Sequence, residues 1–241
     1  GNGDATLLDN TQTGLQYSDR LDIMGTGTLN IDESRQLQLI TQYYKSQGDD
    51  DYGLNLGKGF SAIRGTSTPF VSNGLNSDRI PGTERHLISL QYSDSAFLGQ
   101  ELVGQVYYRD ESLRFYPFPT VNANKQVTAF SSSQQDTDQY GMKLTLNSKP
   151  MDGWQITWGL DADHERFTSN QMFFDLAQAS ASRGLNNKKI YTTGRYPSYD
   201  ITNLAAFLQS GYDINNLFTL NGGVRYQYTE NKIDDFIGYA Q

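Results

Sequence analysis

Apolar and polar residues alternate with a period of two in one segment of this chain after another. A period of two places successive side chains on opposite faces of a β-strand. The segments are about 9–11 residues long, the length at which a tilted strand crosses a bilayer. The clearest of them alternates Trp154, Ile156, Trp158 and Leu160 with Gln155, Thr157, Gly159 and Asp161. About eight such segments occur, and they predict an all-β, antiparallel fold.

The connections between these segments alternate in length. Short turns are predicted at 32–34, 93–99, 148–153 and 213–216, and long connections at 46–83, 110–136 and 166–200. Long structureless connections are uncommon in compact soluble domains. Short turns at one rim and long loops at the other are typical of bacterial outer-membrane barrels. The pattern therefore predicts a transmembrane β-barrel segment with periplasmic turns and long extracellular loops.

Composition agrees with a strand-crossing membrane protein and excludes other classes. The net charge of −8 argues against a general nucleic-acid binder, which needs a basic face. No apolar run approaches the 18 residues of a transmembrane helix. Aromatic residues such as Tyr43, Tyr92, Tyr140 and Trp154 cluster near the ends of the predicted strands, where interfacial girdles form. Aromatic residues also favour strands in general, so this clustering has a second explanation.

The direction of the strands predicts that the chain is an internal part of a barrel. If residues 32–34 form a periplasmic turn, the first strand begins at the long-loop rim. By the same reasoning, the strand after Asn216 runs back to that rim. Both ends of the chain are then expected outside the cell, whereas a complete bacterial barrel has both in the periplasm. About eight strands could also close as a small filled barrel, but this placement disfavours it.

Two adjacent segments carry a family resemblance. Residues 217–226 read Leu-Phe-Thr-Leu-Asn-Gly-Gly-Val-Arg-Tyr, and residues 204–213 read Leu-Ala-Ala-Phe-Leu-Gln-Ser-Gly-Tyr-Asp. They resemble consecutive strands of TonB-dependent outer-membrane siderophore receptors, and the likeness extends over essentially the whole chain. The resemblance implies that residues 1–241 are part of a larger barrel of about 22 strands. The plug domain, the TonB box and the C-terminal strands of the family are not seen in this sequence.

The resemblance also implies a function. It indicates a multi-pass receptor and transporter in the bacterial outer membrane that takes up a ferric siderophore, here an anionic citrate–hydroxamate chelate. The siderophore is a transported ligand, so no cofactor and no enzymatic activity are expected. Expected partners are the TonB–ExbB–ExbD complex, acting through the plug region, and outer-membrane lipid and lipopolysaccharide. Such a receptor can also serve bacteriocins or phages.

An anionic chelate calls for cationic and hydrogen-bonding groups beside aromatic walls, and arginine suits carboxylates because of its planar fork. The long connections supply such groups. The predicted ligand-binding residues are Phe60, Arg64, Arg114, Phe115, Tyr116, Phe118, Arg195 and Tyr196. The strand residues Arg85, Arg109 and Arg225 are predicted to extend the path inward. Alternatively, loop cations bridge lipopolysaccharide phosphates or neighbouring carboxylates.

Other chemistry is not predicted. His86 and His164 do not suggest a metal pair, and the run Asp49–Asp51 is better explained as a solvated loop tip. Asp161, Asp163 and Glu165 share one strand face, as charges lining a barrel lumen do, so no catalytic residues and no metal site are expected. A short loop helix is predicted over 171–182. Two alternatives remain open: a passive porin, and a soluble β-rich binding module.

Overall fold

The computed structural model describes residues 3–4, 17–48, 76–124, 126–182, 184 and 186–236. Its main element is a meander of eight long antiparallel strands, each paired with the next long strand along the chain. These strands are β2 (Tyr17–Asn30), β3 (Arg35–Gly48), β5 (Gly82–Phe97), β6 (Gln100–Arg114), β8 (Val127–Met151), β9 (Trp154–Phe174), β12 (Tyr199–Asn215) and β13 (Phe218–Ile233). The prediction of about eight antiparallel strands is confirmed.

Shorter elements belong to the ends of this meander. They are β1 (Gly3–Asp4), β4 (Asn76–Ser77), β7 (Phe118–Val121), β10 (Asn186–Asn187), β11 (Lys189–Gly194) and the helix α1 (Leu176–Ala181). β1 pairs with β2, β7 with β8, and β11 with β9, whereas β4 and β10 form a separate parallel pair. No helix within the described residues is long and apolar enough to span a membrane.

The two faces of the sheet differ in chemistry. One hydrogen-bonded row across six strands contains Leu39, Leu90, Val106, Met142, Ala162 and Leu204. We call the face that carries this row the apolar face. The neighbouring row on the opposite face contains Gln38, Gln91, Gln105, Lys143, Asp161 and Ala205. We call this second face the polar face, and the alternation predicted from the sequence separates the two.

Large apolar side chains of the apolar face are exposed on interior strands. Val106 is 53% exposed, and Ile88 and Leu204 are each 49% exposed, although they lie on interior strands of the sheet. A soluble β-rich module would have to bury such side chains against a second layer. The buried apolar cluster instead lies at the long-connection end and centres on Phe130, Phe174 and Ala179. An exposed apolar face of this kind requires hydrocarbon as its solvent.

Tight turns close the other end of the meander. The Asp32 carboxylate accepts hydrogen bonds from the backbone N–H groups of Ser34 and Arg35, at 3.0 and 2.8 Å. Its hydrogen bond with the Arg35 guanidinium, joined by these backbone bonds, holds the pKa of Asp32 well below its ordinary value. Gly99 and Gly153 turn the next two hairpins with positive φ, a conformation that favours glycine.

The structure shortens two predicted connections. β6 continues to Arg114 and β8 begins at Val127, so most of the predicted loop 110–136 is strand. β9 continues to Phe174, and β11 and β12 begin at Lys189 and Tyr199, within the predicted loop 166–200. The helix predicted over 171–182 covers only Leu176–Ala181, because residues 171–174 complete β9. The Asp175 side chain caps this helix by accepting from the Gln178 N–H at 2.8 Å.

Among the described glycines, Gly159 on the polar face leaves the least room for a side chain. A Cβ atom there would meet the Leu144 carbonyl oxygen and would lie 2.5 Å from Phe207 Cζ. We expect Gly159→Val to lower the free energy of unfolding by about 1–3 kcal/mol, because overpacking forces strands and side chains apart. Denaturant titration of the full-length receptor refolded into vesicles measures this loss.

A matched valine tests whether the loss comes from crowding. At Gly27, an added Cβ has nothing within 4 Å. Gly27→Val is therefore expected to leave stability unchanged or slightly raised. Equal losses at Gly27 and Gly159 would contradict this explanation and would point to strand propensity instead.

Candidate ligand-binding site

The three arginines predicted to extend the path all lie on the polar face. Arg85 forms a two-pronged ion pair with Glu111, with Nε–Oε2 and Nη2–Oε1 distances of 3.0 and 3.1 Å. Arg225 donates to Asp161 at 2.7 Å and lies over the Phe207 ring, 5.9 Å from its centroid. The Arg109 Nε atom is buried and has no hydrogen-bond partner in the described part of the chain. Two of the three cations are therefore already paired within the wall.

Acidic groups on the same face are also held by neighbours. Asp163 accepts from the Asn203 amide at 2.9 Å, and Asn203 in turn accepts from the Thr229 hydroxyl at 2.7 Å. Asp161, Asp163 and Glu165 alternate along β9 and share the polar face, as predicted. These side chains form a charged wall, in which hydrogen bonds and an ion pair link β9, β12 and β13. Such mutual pairing limits which groups remain available to an incoming anion.

Arg195 has the most developed polar surroundings among the predicted ligand residues. Its backbone N–H donates to the Ser169 carbonyl at 3.1 Å, which continues the β9 edge beyond β11. Its guanidinium donates to the Gln171 side-chain oxygen at 3.1 Å. The Gln171 amide donates to the Ser131 hydroxyl at 2.8 Å, and both of these side chains are buried. The buried Gln171 side chain therefore fixes the orientation of the Arg195 guanidinium.

One aromatic ring contacts this cation, and two further aromatic pairs stack along β9. The Arg195 guanidinium lies 5.3 Å from the Tyr196 ring centroid, within cation–π distance. Phe167 and Tyr199 stack at 4.8 Å on the polar face, and Phe173 stacks on Tyr191 at 4.7 Å. Tyr191 and Tyr196 are both more than 40% exposed. A half-buried arginine beside an exposed tyrosine ring offers cationic donors and a flat wall to an anionic, partly organic ligand.

The second connection divides its predicted residues between the two faces. Arg114 follows Val106 and Tyr108 on the apolar face, and its Nη2 lies 3.8 Å from the Glu84 carboxylate. Phe118 pairs with Ser131, which lies on the polar face next to Gln171. Arg114 itself pairs with Gln134. Phe118 lies four residues after Arg114, but its partner Ser131 lies only three residues before Gln134. This one extra residue places the Phe118 side chain on the opposite face from Arg114.

Phe115 and Tyr116 occupy this irregular stretch. The Phe115 N–H donates to the Ser133 carbonyl at 2.9 Å, and the Phe115 carbonyl accepts from the Ser132 hydroxyl at 2.6 Å. The Phe115 side chain is 39% exposed, whereas burial raises the pKa of the Tyr116 phenol above its ordinary value. Tyr116 is half-buried, and both residues stay predicted contacts of the ligand.

The structure places Arg195 and Phe118 on the polar-face side, with the Tyr196 ring beside Arg195, and Arg114 on the opposite side. Phe60 and Arg64 lie outside the described residues. Gln171 and Ser131 were not singled out from the sequence, because neutral polar side chains are common in any loop. Their signal is structural: both are buried, Gln171 accepts a hydrogen bond from Arg195, and Ser131 accepts one from Gln171. No group of three or more possible metal-ligating side chains occurs within the described ranges.

Comparisons with known proteins place this geometry in a family. The family model described as TonB dependent receptor-like, beta-barrel matches residues 16–240. The chain is 99% identical over all 241 residues to a ferric aerobactin receptor of Escherichia coli, covering 33% of that protein. It is 39% identical, again over its full length, to a rhizobactin receptor of Rhizobium meliloti (strain 1021), covering 32%. The chain thus spans about a third of the length of these curated relatives.

Solved structures agree on the fold. The copper transporter OprC superposes with a TM-score of 0.60 at 14% identity, over 90% of this chain and 30% of that one. The unliganded ferric citrate transporter FecA superposes with a TM-score of 0.57 at 16% identity, with the same two coverages. Both likenesses concern architecture alone. The chain belongs to the TonB-dependent receptor family, and it forms part of that family's β-barrel.

Proposed function

We propose that this chain is part of an outer-membrane receptor that binds and imports ferric aerobactin. The observation that carries the proposal is the 99% identity, over every residue of the chain, to a ferric aerobactin receptor. The 39% identity to a rhizobactin receptor supports siderophore uptake as the wider function. Because the chain spans a third of those proteins, the activity belongs to the whole receptor.

The proposed binding surface is the polar-face side of the long connections, centred on Arg195. Ferric aerobactin is an anionic citrate–hydroxamate chelate, so it needs cationic donors, neutral hydrogen-bonding groups and apolar contact. Arg195, Tyr196 and Phe118 offer these three properties on one side of the sheet. Phe60 and Arg64 remain proposed contacts from the first connection. Arg114, Phe115 and Tyr116 remain proposed contacts at the margin of this surface.

Transport is proposed to follow the family's arrangement. TonB, with ExbB and ExbD, would supply energy through the plug region of the whole receptor. The apolar face would contact outer-membrane lipid, and the cations above it would contact lipopolysaccharide. The charged wall formed by Arg225, Asp161 and Asp163 would line the interior. Bacteriocins or phages would be secondary users of the same external surface.

Titration of the full-length receptor with ferric aerobactin tests this function. Saturable quenching of tryptophan fluorescence is expected with ferric aerobactin. Iron-free aerobactin and ferric citrate, used as controls, are expected to bind much more weakly. A passive porin would give no saturable binding and would instead let small sugars equilibrate across receptor-containing vesicles. That pair of results would overturn the proposal.

A further inference from the structure

Arg79 is a buried cation at the point where the three long connections meet. It precedes β5 along the chain, yet its side chain reaches β8 and β9, two and three strands away in the sheet. The residue is only 6% exposed. Its Nη1 donates to the Ser132 carbonyl at 2.7 Å, and its Nη2 donates to the Asn170 side-chain oxygen at 2.5 Å. One planar fork therefore joins two strands.

Each acceptor leads to a different connection. Ser132 also donates its hydroxyl to the Phe115 carbonyl at 2.6 Å, so this residue holds the start of the second connection. Asn170 pairs with Gly194, the residue before Arg195 in the third connection. Arg79 itself ends the first connection. Arg79 thus belongs to the first connection and is hydrogen-bonded to residues that contact the second and the third.

The residues before Arg79 strengthen the same junction. Asn76 and Ser77 form the parallel pair with Asn186 and Asn187. The Asp78 N–H donates to the Asn187 carbonyl at 3.0 Å, and the Asp78 carboxylate accepts from the Lys189 N–H at 2.7 Å. Backbone and side-chain hydrogen bonds therefore join the first and third connections next to Arg79. These bonds and those of the Arg79 guanidinium all involve one short segment, 76–79.

The energetics favour a role specific to arginine. A buried guanidinium is costly unless its donors are satisfied, and here both described acceptors are neutral oxygens. Burial lowers the pKa of Arg79, although the nearby Asp136 carboxylate acts in the opposite direction. Arginine stays charged under such conditions, and its fixed fork can meet two acceptors at once. Lysine carries the charge but cannot reproduce that planar geometry.

We propose that Arg79 is a positioning residue that holds the three long connections in a single arrangement around the siderophore site. This role rests on the proposed function and adds a residue that does not itself contact the ligand. Without the fork, the first connection loses its side-chain hydrogen bonds to β8 and β9. The segment 76–79 can then move relative to Phe118 and Arg195, whose connections stay joined through the paired strands β8 and β9. The expected consequence is a broader set of loop arrangements and weaker ligand binding.

Distance measurements between spin labels test the arrangement without any ligand. Labels at Asn76, Asn124 and Lys189, all exposed, report on the first, second and third connections. In Arg79→Ala, the distance distribution for 76–124 is expected to broaden clearly, whereas the distribution for 124–189 should stay narrow because β7, β8, β9 and β11 are paired through their backbones. Arg79→Lys is expected to fall between this variant and the unsubstituted receptor. Arg35→Ala, which removes an ion pair at the opposite rim, is the matched control and should change neither distribution.

Affinity provides the second measurement. Ferric aerobactin is expected to bind Arg79→Ala about tenfold more weakly, with the loss partly reversed by added guanidinium ion, which a general loss of stability would not show. An unchanged 76–124 distance distribution in Arg79→Ala would overturn the proposal. If Arg79→Ala does not fold, a narrow 76–124 distribution in Arg79→Lys would overturn it instead. If the unsubstituted receptor binds no ferric aerobactin, the proposed function fails, while the distance measurements still decide the role of Arg79.

Discussion

Replacing Val106 with arginine is expected to destabilise the receptor in a bilayer, lowering its free energy of unfolding by about 2–4 kcal/mol. Val106 lies in the row of the apolar face between Leu90 and Met142, and it is 53% exposed. A guanidinium there would have to enter hydrocarbon or reach the interface by bending its side chain and thinning the bilayer. Denaturant titration of the full-length receptor in lipid vesicles, followed by tryptophan fluorescence, measures the cost.

The neighbouring residue supplies the control. Gln105 precedes Val106 on β6 and lies on the polar face, where its amide donates to the Ser89 hydroxyl at 2.9 Å. Gln105→Arg adds the same charge to a wall already lined with Asp161 and Lys143, so we expect a change below about 1 kcal/mol. Similar losses for both variants would mean that the two faces see the same solvent. That result would contradict a membrane-facing apolar face.

The strands could be predicted because the membrane imposes a visible pattern. Between the short turns and the middle of each strand, one face meets lipid and the other does not, so apolar and polar residues must alternate. Trp158 and Leu160 on β9, which alternate with Gly159 and Asp161, show this directly. The short turns were equally visible, because Gly99, Gly153 and Asp32 carry recognisable turn chemistry.

The long connections were overestimated because the pattern disappears at the strand ends. Residues 131–138 read Ser-Ser-Ser-Gln-Gln-Asp-Thr-Asp, which is polar on both faces. They nevertheless form part of β8, paired with β9. Where neither face meets lipid, apolar and polar residues need not alternate. Backbone hydrogen bonds can still extend the strand there, but they do not change the hydrophobicity pattern of the sequence. Sequence periodicity marks the apolar band and not the full length of the strand.

The residue types of the candidate site could be predicted from the sequence, but the face of the sheet on which each residue lies could not. Arg114 and Phe118 are four residues apart in one basic and aromatic stretch, and the sequence gives no reason to separate them. The extra residue in their pairing with β8 sends them to opposite faces. Arg79 could not have been singled out, because its value comes from acceptors 53 and 91 residues further along the chain.

Arg195→Gln is expected to weaken ferric aerobactin binding by about 10- to 100-fold. A hydrogen bond to a charged group contributes about 1.5–3 kcal/mol, and each 1.4 kcal/mol is a factor of about ten in affinity. Glutamine keeps polarity and removes the charge, so the effect reports the cation and not simply a lost contact. Fluorescence titration of the full-length receptor at low and high salt measures both the affinity and its electrostatic part.

Arg114→Gln is the matched comparison, because both arginines come from long connections but face opposite sides of the sheet. Arg114 lies near Glu84 on the side of Val106 and Tyr108, so its loss should reduce affinity less than threefold, or by under about 0.7 kcal/mol. Equal, large losses would show that the two connections converge above the sheet edge despite their opposite faces. No loss in either variant would remove the third connection from the binding surface and leave Phe60 and Arg64 of the first as its remaining candidates.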